Sequence, residues 1–472
     1  MPAALLVTLA VALAIAVLTL EKTLTLVIAS IPLAIAVPIA PSFDTFANWR
    51  IFVAILFLSW VFRTKLWNTD IRQAIKNITL YEWALVGILL LGALSLVLAQ
   101  DPLAGARKLF FLINAGLLYI VVRKEASRHA HAVLQGVLAN ALFVFVFGAA
   151  QYLVVQFVSL YDFWQGWAGN VIPVFYGKEL SELLAKSNTW FSFYEHAPPT
   201  LRVFSIFPDS HSFALFSIMI FGVGALVLTQ GKRAWGLTLI GIASLAIFLS
   251  GSRGAWIGAL IPFCATISLA VPVFQKYLAG FFLNYIHPKT ILRAARSILI
   301  GWVLFLAAFP IASVLTANAR GAGVEAQEAQ AAFRRARSIF DVGELSNRTR
   351  IAIWKESIQG VLKHPVLGVG LANFPQVLGK DVGDGRKGAS AHNLYLDIAV
   401  EVGVMTGILA LLFFVFAIWH AMRNNILWFA LIVLWIATYS LVDVVLLNDK
   451  VLLVFLSLVA LFSSRKTTRR II

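Results

Sequence analysis

Residues 209–229 read DSHSFALFSIMIFGVGALVLT, an apolar run with one acidic residue at its start and no Lys or Arg. A helix needs about 20 such residues to cross the hydrocarbon core of a bilayer. Similar runs recur along the chain, in which 60% of residues are hydrophobic and only 13% are charged. They predict about 12 to 13 membrane spans. The candidate spans lie near 3–20, 24–40, 49–62, 81–99, 109–122, 131–158, 209–229, 235–250, 254–275, 297–315, 394–420, 426–446 and 450–463.

The pattern within these runs indicates helices rather than strands. Transmembrane β-strands are segments of about 10 residues in which apolar and polar residues alternate, and these runs do not alternate. The predicted fold is therefore all-α, a polytopic integral membrane helical bundle. The run at 1–20 lacks a basic leading region and is followed at once by another apolar run, so we expect a retained span rather than a signal peptide.

The formal net charge of +16 is concentrated in alternate loops. Short basic loops of membrane proteins lie in the cytoplasm, so this charge predicts topology and an anionic lipid surface as partner, not nucleic acid. The basic groups are Arg63, Lys65, Arg72 and Lys76; Arg123, Lys124 and Arg128; Lys232 and Arg233; Lys276, Lys289, Arg293 and Arg296; Arg423; and Arg465, Lys466, Arg469 and Arg470.

This topology divides the chain into three parts. Residues 1–315 hold the first ten spans and an outer segment at 159–208; residues 316–393 form a large, partly helical outer loop; residues 394–472 hold the last spans and a basic cytoplasmic tail. The short 250–254 junction also falls outside. Long loops cross the membrane largely regardless of charge, so the Arg residues of the outer loop do not contradict this orientation.

The outer loop is expected to contain two helices. Val324–Phe340 is rich in helix formers, and a second helix begins after Ser346 or Asn347. His364-Pro365 ends it, because proline removes a backbone donor and restricts the preceding residue. The apolar stripe of the second helix consists of Ile351, Trp354, Ile358 and Val361.

Several classes of site are missing from the sequence. The single cysteine, Cys264, lies within an apolar run and is predicted to be a packed core thiol. No Cys/His cluster has metal-ligand spacing, and Gly368-Val-Gly370 follows a helix-like stretch, which does not fit a dinucleotide loop. We therefore expect no cofactor and no metal.

Ionisable residues at the outer ends of spans are the candidates for chemistry, since such residues near a bilayer usually mark function. Arg253 lies between Gly251 and Gly254, which permit close approach of a ligand, although an Arg at this depth can also simply anchor the interface. Arg348 and Arg350 begin the second loop helix and do not share a helical face, so one is expected to bind ligand. Arg202 precedes a span and is either a ligand contact or an anchor.

Among the eight histidines, His392 is the best candidate for a base. It stands with Asn393 where the outer loop returns to the membrane, and a neutral imidazole there can accept a proton near neutral pH. Asp443 lies near the outer end of its span, with His392 or one of the arginines as its expected partner. His211 is also outside and is a weaker candidate for substrate contact.

The order of these motifs resembles the O-antigen ligase and O-antigen polymerase superfamily of bacterial envelope glycosyltransferases. The resemblance rests on the SRG turn at 252–254, R-x-R-x-x-x-W at 348–354, HP-x-x-G-x-G-x-x-x-F at 364–374, HN-x-Y-L at 392–396 and the glycine spacing of 401–407. Where many members have a Pro-Asn pair, this sequence has SIFPDSHSFA.

The resemblance implies a glycan donor on undecaprenyl diphosphate and an acceptor sugar hydroxyl on lipid A core or another glycan, at the periplasmic face of the bacterial inner membrane. Arg253, Arg348 or Arg350, and Arg202 would hold the diphosphate, because Arg makes bidentate contacts that Lys cannot. His392 would deprotonate the acceptor hydroxyl, which then attacks the anomeric carbon from the opposite face. This step inverts the anomeric configuration and needs no metal.

The same resemblance gives Asp443 the role of orienting His392, with a purely structural pairing as the alternative. Asn393, His211, Gly368 and Gly370 would support the site.

Two other functions remain open from the sequence. A polymerase of the same superfamily would use a second lipid-linked repeat as acceptor, and the motifs do not separate it from a ligase. A transporter would also suit many spans with polar residues and glycine breaks, but it predicts paired broken helices and key residues near mid-membrane. Here the candidates gather on the outer side, and the long ordered outer loop favours an enzyme.

Overall fold

The chain forms a bundle of helices of very different lengths. Helices make up nearly all of the regular structure, so the prediction of an all-α polytopic membrane protein is confirmed. The first predicted loop helix, 324–340, lies outside the described residues. The structure is a computed structural model that describes residues 2–37, 46–65, 77–185, 189–194, 197–271, 288–318, 345–379 and 389–462.

The helices are α1 (Pro2–Val17), α2 (Leu20–Ser30), α3 (Trp49–Thr64), α4 (Leu80–Ser95), α5 (Pro102–Val154), α6 (Leu160–Gly166), α7 (Ile172–Ala185), α8 (Ser210–Thr229), α9 (Arg233–Leu249), α10 (Arg253–Gly258), α11 (Leu260–Ala270), α12 (Pro288–Asn318), α13 (Leu345–Lys363), α14 (Leu394–Val402), α15 (Val404–Arg423), α16 (Leu427–Tyr439) and α17 (Asp449–Leu461). Short 3₁₀ turns lie at Ile31–Leu33, Leu96–Leu98, Phe374–Val377 and Val445–Leu447, and one π-helical turn lies at Trp167–Val171. Two small antiparallel pairs join β1 (Ala36–Val37) to β2 (Phe46–Ala47) and β3 (Phe191–Tyr194) to β4 (Ala197–Leu201).

Within the described residues, six helices are long and apolar enough to cross a membrane, and three shorter helices are similarly apolar. The six are Leu80–Leu98, Pro102–Val154, Ser210–Thr229, Arg253–Ala270, Ala294–Leu315 and Val404–Arg423; the three are Ala4–Val17, Arg233–Leu249 and Leu427–Tyr439.

Helix α5 contains two of the predicted spans, which meet at a break in helical geometry at His129 (φ −124°, ψ 33°). At its start, the backbone N–H of Asp101 donates to Asn373 Oδ1 at 2.9 Å. Near its end, Gln151 Nε2 donates to the carbonyl of Ser205 at 2.7 Å. Both ends therefore contact segments predicted to lie outside, as expected for two spans that cross and return.

Helix α8 is the most buried of the six long apolar helices. In its most apolar window 94% of residues are buried, against 28–44% in the other five long helices. It packs against α9, α12 and α16. Its approach to α16 depends on Gly222, because an added Cβ there would lie 2.6 Å from Ile432 Cγ1. The first turn of this buried helix carries His211.

The predicted span 394–420 is broken at Gly403 (φ +98°), between α14 and α15. The segment after α13 docks on this break through backbone bonds: Val404 N–H donates to Pro365 O at 2.9 Å, and Val369 N–H to Val400 O at 3.0 Å. A Cβ at Gly403 would lie 2.1 Å from Val366 O, so only glycine fits. The contact fixes α14 from its C-terminal end.

Two predictions about buried faces need correction. Cys264 is exposed on α11, so the prediction of a packed core thiol is wrong. On α13, which begins and ends within two residues of the predicted positions, Ile351 and Ile358 are half exposed, and Ile353 is buried instead. In a membrane protein, lipid-facing and core-facing surfaces are equally apolar, so apolar sequence alone does not distinguish them.

Candidate active site

Four segments converge at the end of the bundle where α8 begins. They are the chain leading into α8, the junction of α9 and α10, the turn after α16, and the loop before α14. Each contributes to a group that we call the polar cluster: Arg202, His211, Ser252, His392 and Asp443. The following contacts hold it together.

His211 is bonded at both ring nitrogens. Its Nδ1 lies 2.9 Å from Asp443 Oδ2, and its Nε2 lies 3.1 Å from Arg202 Nη2. A guanidinium can only donate, so Nε2 accepts and the ring proton resides on Nδ1, directed at the carboxylate. His211 is thus a neutral imidazole, and the lone pair on its Nε2 accepts a hydrogen bond from Arg202.

Ser252 also contacts Nδ1 of the His211 ring. Its Oγ lies 3.1 Å from His211 Nδ1 and 2.7 Å from the hydroxyl of Tyr439. Ser252, His211 and Asp443 are the residue types of a hydrolase triad, but there the Ser and Asp contact opposite nitrogens of the His. Here both contact Nδ1, and Arg202 covers Nε2. The geometry does not activate Ser252 as a nucleophile.

Arg202 is held by the protein on both sides of its guanidinium. Besides His211, its Nε donates to the carbonyl of Ser250 at 3.1 Å, and the side chain is buried. Asp209 caps α8 by accepting from the backbone N–H of Ser212 at 2.7 Å. These bonds fix the start of α8 against the α9–α10 junction.

The other arginines differ in their position relative to the cluster. Arg253 is half-buried at the first position of α10, beside the turn that bears Asp443. Gly254 allows this approach, since a Cβ there would lie 2.7 Å from Val442 Cγ2. Arg350 is half-buried and interacts electrostatically with His392 and Asp443, whereas Arg348 is exposed. Of this pair, Arg350 faces the cluster.

His392 differs from His211 in its hydrogen bonding. Among the residues that the structure describes, its buried Nδ1 has no hydrogen-bond partner. Burial lowers the pKa of His392; the charge of Asp443 opposes this shift, and the positive charge of Arg350 adds to it. The imidazole is therefore unprotonated near neutral pH and can accept a proton. Its backbone lies in the left-handed region (φ +46°), which costs about 1–3 kcal/mol for a non-glycine residue in a sparsely populated conformation.

The loop that carries His392 is docked on the turn that carries Asp443. The backbone N–H of Leu394 donates to Ser440 O at 2.8 Å. Asn393 caps α14, with its Oδ1 accepting from the N–H of Leu396 at 3.0 Å. Asn393 therefore sets where α14 begins rather than pointing at a ligand.

The structure thus brings together Arg202, His211, His392, Asp443 and Arg350. Asp443 forms its direct bond with His211, and its interaction with His392 is electrostatic only. Gly368 and Gly370 lie elsewhere.

Gly368 packs against the backbone of Val400 and Glu401, and Gly370 against Ala99. Their glycine character is explained by this packing.

Sequence reasoning missed Ser252 and Tyr439. Ser252 directly precedes the candidate Arg253, and Tyr439 lies four residues before Asp443. That adjacency and that spacing were the available signals.

Comparison with known proteins supports the same region. Residues 237–411 match the model of the O-antigen ligase family. The family resemblance is confirmed there. The match contains Arg253, Arg350 and His392 but ends before Asp443 and begins after His211. This family comprises membrane enzymes that act on lipid-linked glycans. No curated protein matches the chain.

Proposed function

We propose that the protein is an O-antigen ligase-like glycosyltransferase of the bacterial inner membrane. It moves a glycan from undecaprenyl diphosphate to a sugar hydroxyl of lipid A core, at the periplasmic face, without metal and with inversion. One observation carries the proposal: among the described residues, Nδ1 of a neutral His392 in the matched region has no hydrogen-bond partner, and His392 interacts electrostatically with Arg350 and Asp443.

In the proposed reaction, the acceptor hydroxyl attacks the anomeric carbon and gives its proton to His392. A new glycosidic C–O bond forms as the bond from the anomeric carbon to the diphosphate oxygen breaks. Arg253 and Arg350 hold the diphosphate and stabilise the negative charge that it gains on leaving. Arg348, being exposed, takes no part in this contact.

His211, Arg202 and Asp443 form the frame of this site. Arg202 and His211 are bonded to each other, which leaves Arg202 as an electrostatic contributor rather than a free clamp. Asp443 balances the positive charge of Arg350 and of the imidazolium that forms on His392 during transfer.

A cavity with a mainly apolar lining supports a donor with a long apolar chain. It has a volume of about 830 Å³ and lies between α4, α5, α15 and α17. Apolar side chains dominate its lining, among them Leu394 and Leu446, which are near His392 and Asp443 in the sequence. A prenyl chain in this cavity would bring its diphosphate towards the polar cluster.

The position of the cluster favours an enzyme over a transporter. Arg202, Ser252, His392 and Asp443 lie in loops or at helix ends, and His211 is in the first turn of α8. A transporter would place such residues near mid-membrane, on discontinuous helices. The described arginines near His392 form one group, enough to bind one lipid diphosphate. A polymerase would bind two lipid-linked substrates, so a single group favours a ligase.

The test is transfer by a His392→Ala variant in membranes, with lipid A core and a lipid-linked repeat supplied in parallel. Loss of a general base lowers the rate about 10²- to 10⁴-fold. His364→Ala, an exposed histidine at the end of α13, is the matched control and is expected to be fully active. Product on the repeat instead of the core would make the protein a polymerase. A fully active His392→Ala variant at normal protein levels would remove His392 as the base.

A further inference from the structure

The residue immediately before His392, Ala391, is held at both of its backbone polar groups. The backbone N–H of Ala391 donates to Asp397 Oδ1 at 2.8 Å, and its carbonyl accepts from Trp354 Nε1 at 2.8 Å. Ala391 is completely buried. Neither Asp397 nor Trp354 has a part in the proposed chemistry.

The two bonds come from different elements. Trp354 lies on α13, four residues after Arg350, so the two side chains share a helical face. Asp397 lies on α14, in the turn that follows His392. The indole bond therefore ties the helix of Arg350 to the loop of His392, and the carboxylate bond ties that loop to α14.

His392 needs such support because its backbone is in the left-handed region (φ +46°). A non-glycine residue stays there only where the surrounding structure over-determines the conformation. Two hydrogen bonds to the backbone of the preceding residue, Ala391, provide that constraint. They fix the direction in which the His392 side chain leaves the backbone.

The carboxylate of Asp397 is itself part of a buried charge group. It interacts electrostatically with Glu401 and Lys108, and Lys108 Nζ lies 2.6 Å from Glu401 Oε2. One lysine on α5 thus faces two carboxylates of α14. This arrangement orients the Asp397 face of α14 towards α5 and leaves Oδ1 for Ala391.

We propose that Asp397 and Trp354 are positioning residues, which aim His392 at the acceptor hydroxyl by holding the backbone N–H and carbonyl of Ala391. The inference rests on the proposed function of His392 as the base. A purely structural role is the alternative, in which the two bonds only stabilise the start of α14. The two roles differ in what they do to turnover per folded molecule.

The experiment compares Asp397→Asn, Asp397→Ala and Trp354→Phe in the full-length protein, with a prenyl-diphosphate-linked glycan as donor. Asn keeps an acceptor oxygen for Ala391, whereas Ala removes it; Phe removes the indole N–H donor and keeps an aromatic ring, although a smaller one. Because a misplacement of about 1 Å costs on the order of 10²-fold, Asp397→Ala and Trp354→Phe should lower kcat by about 10- to 100-fold. KM for the donor should change little, and Asp397→Asn should stay within about threefold of wild type.

Ser357→Ala is the matched control. Ser357 is buried on α13, one turn from Trp354, and in the part of the chain that the structure describes its hydroxyl donates to Ile353 O of the same helix. It should retain wild-type kcat.

Three results would overturn the proposal. Equal losses in Asp397→Asn and Asp397→Ala would show that Asp397 acts through its charge. Lower protein levels with unchanged kcat would show a structural role only. Full activity of Trp354→Phe would also show that the role is only structural. If Asp397→Ala does not fold, Trp354→Phe decides between the two roles.

A double-variant cycle separates this proposal from the proposed function. In a His392→Ala background, Asp397→Ala should cause no further loss, since the residue it aims is gone. An undiminished further loss would refute the positioning role even if His392 is the base. A fully active His392→Ala variant would instead refute the base assignment itself.

Discussion

His211 and His392 both interact with the carboxylate of Asp443, but their hydrogen bonding differs. His211 lies in the first turn of α8, the most buried of the six long apolar helices, and both of its ring nitrogens are bonded. His392 lies on a strained loop, with Nδ1 unpartnered among the described residues. A hydrogen-bonded histidine holds a structure together, whereas an unpartnered neutral one near an arginine is available to a substrate.

Among the residues around the two histidines, the largest effect is expected from Asp443, with which both of them interact. Asp443→Asn removes the negative charge of the carboxylate that accepts a hydrogen bond from His211. That charge also balances the positive charge of Arg350 and of His392 when it is protonated. We expect kcat for glycan transfer to fall about 10²-fold or more. The polar cluster, as defined above, loses its one negative charge and the ion pair that positions His211. Transfer by protein extracted at wild-type levels measures it. A loss below fivefold would mean that the two histidines act independently of Asp443.

A smaller effect on kcat/KM is expected to distinguish Arg350 from Arg348. Arg350→Lys should lower kcat/KM about 10- to 100-fold, because a charge-assisted contact contributes about 1.5–3 kcal/mol and Lys cannot make a bidentate one. Arg348→Lys is the matched control and should stay near wild type, since Arg348 is exposed. The reverse order of effects would place Arg348, and not Arg350, on the diphosphate.

The pH dependence tests His392 through its environment. Burial and Arg350 lower its pKa, with Asp443 opposing, so the acid limb of kcat/KM should lie below the ordinary histidine value of 6.5. Activity is present above this pKa and is lost as pH falls through it, because protonation removes the base. In Arg350→Gln the limb should move to higher pH, since a positive neighbour is removed. A limb that stays in place would argue that another group is the base.

The smallest effect is expected from Ser252. Ser252→Ala removes one hydroxyl between His211 and Tyr439 and should lower kcat by less than about tenfold, since a neutral hydrogen bond contributes about 1 kcal/mol. Tyr439→Phe serves as the parallel variant. Complete loss of activity in Ser252→Ala alone would indicate a nucleophilic serine and break the distinction drawn between the two histidines.

The sequence predicted the membrane fold and most candidate residues because those signals are local. A span needs a long apolar run, and the end of α13 at His364-Pro365 follows from the chemistry of proline. The motifs around Arg350 and His392 were likewise readable one segment at a time.

Contacts between distant segments could not be predicted in this way. The direct bond between Asp443 and His211, and the clamp of Trp354 on Ala391, join parts of the chain whose packing no local pattern encodes. The exposed Cys264 was mispredicted for a related reason: a helix face that meets lipid is as apolar as one that meets another helix.

The most direct test of the central claim is single-turnover transfer by purified His392→Gln, preloaded with undecaprenyl-diphosphate-linked glycan, with donor binding measured on the same sample. The account predicts unchanged donor binding, because the arginines are intact, and a transfer rate lower by about 10²- to 10⁴-fold. Wild-type transfer with normal binding would contradict it.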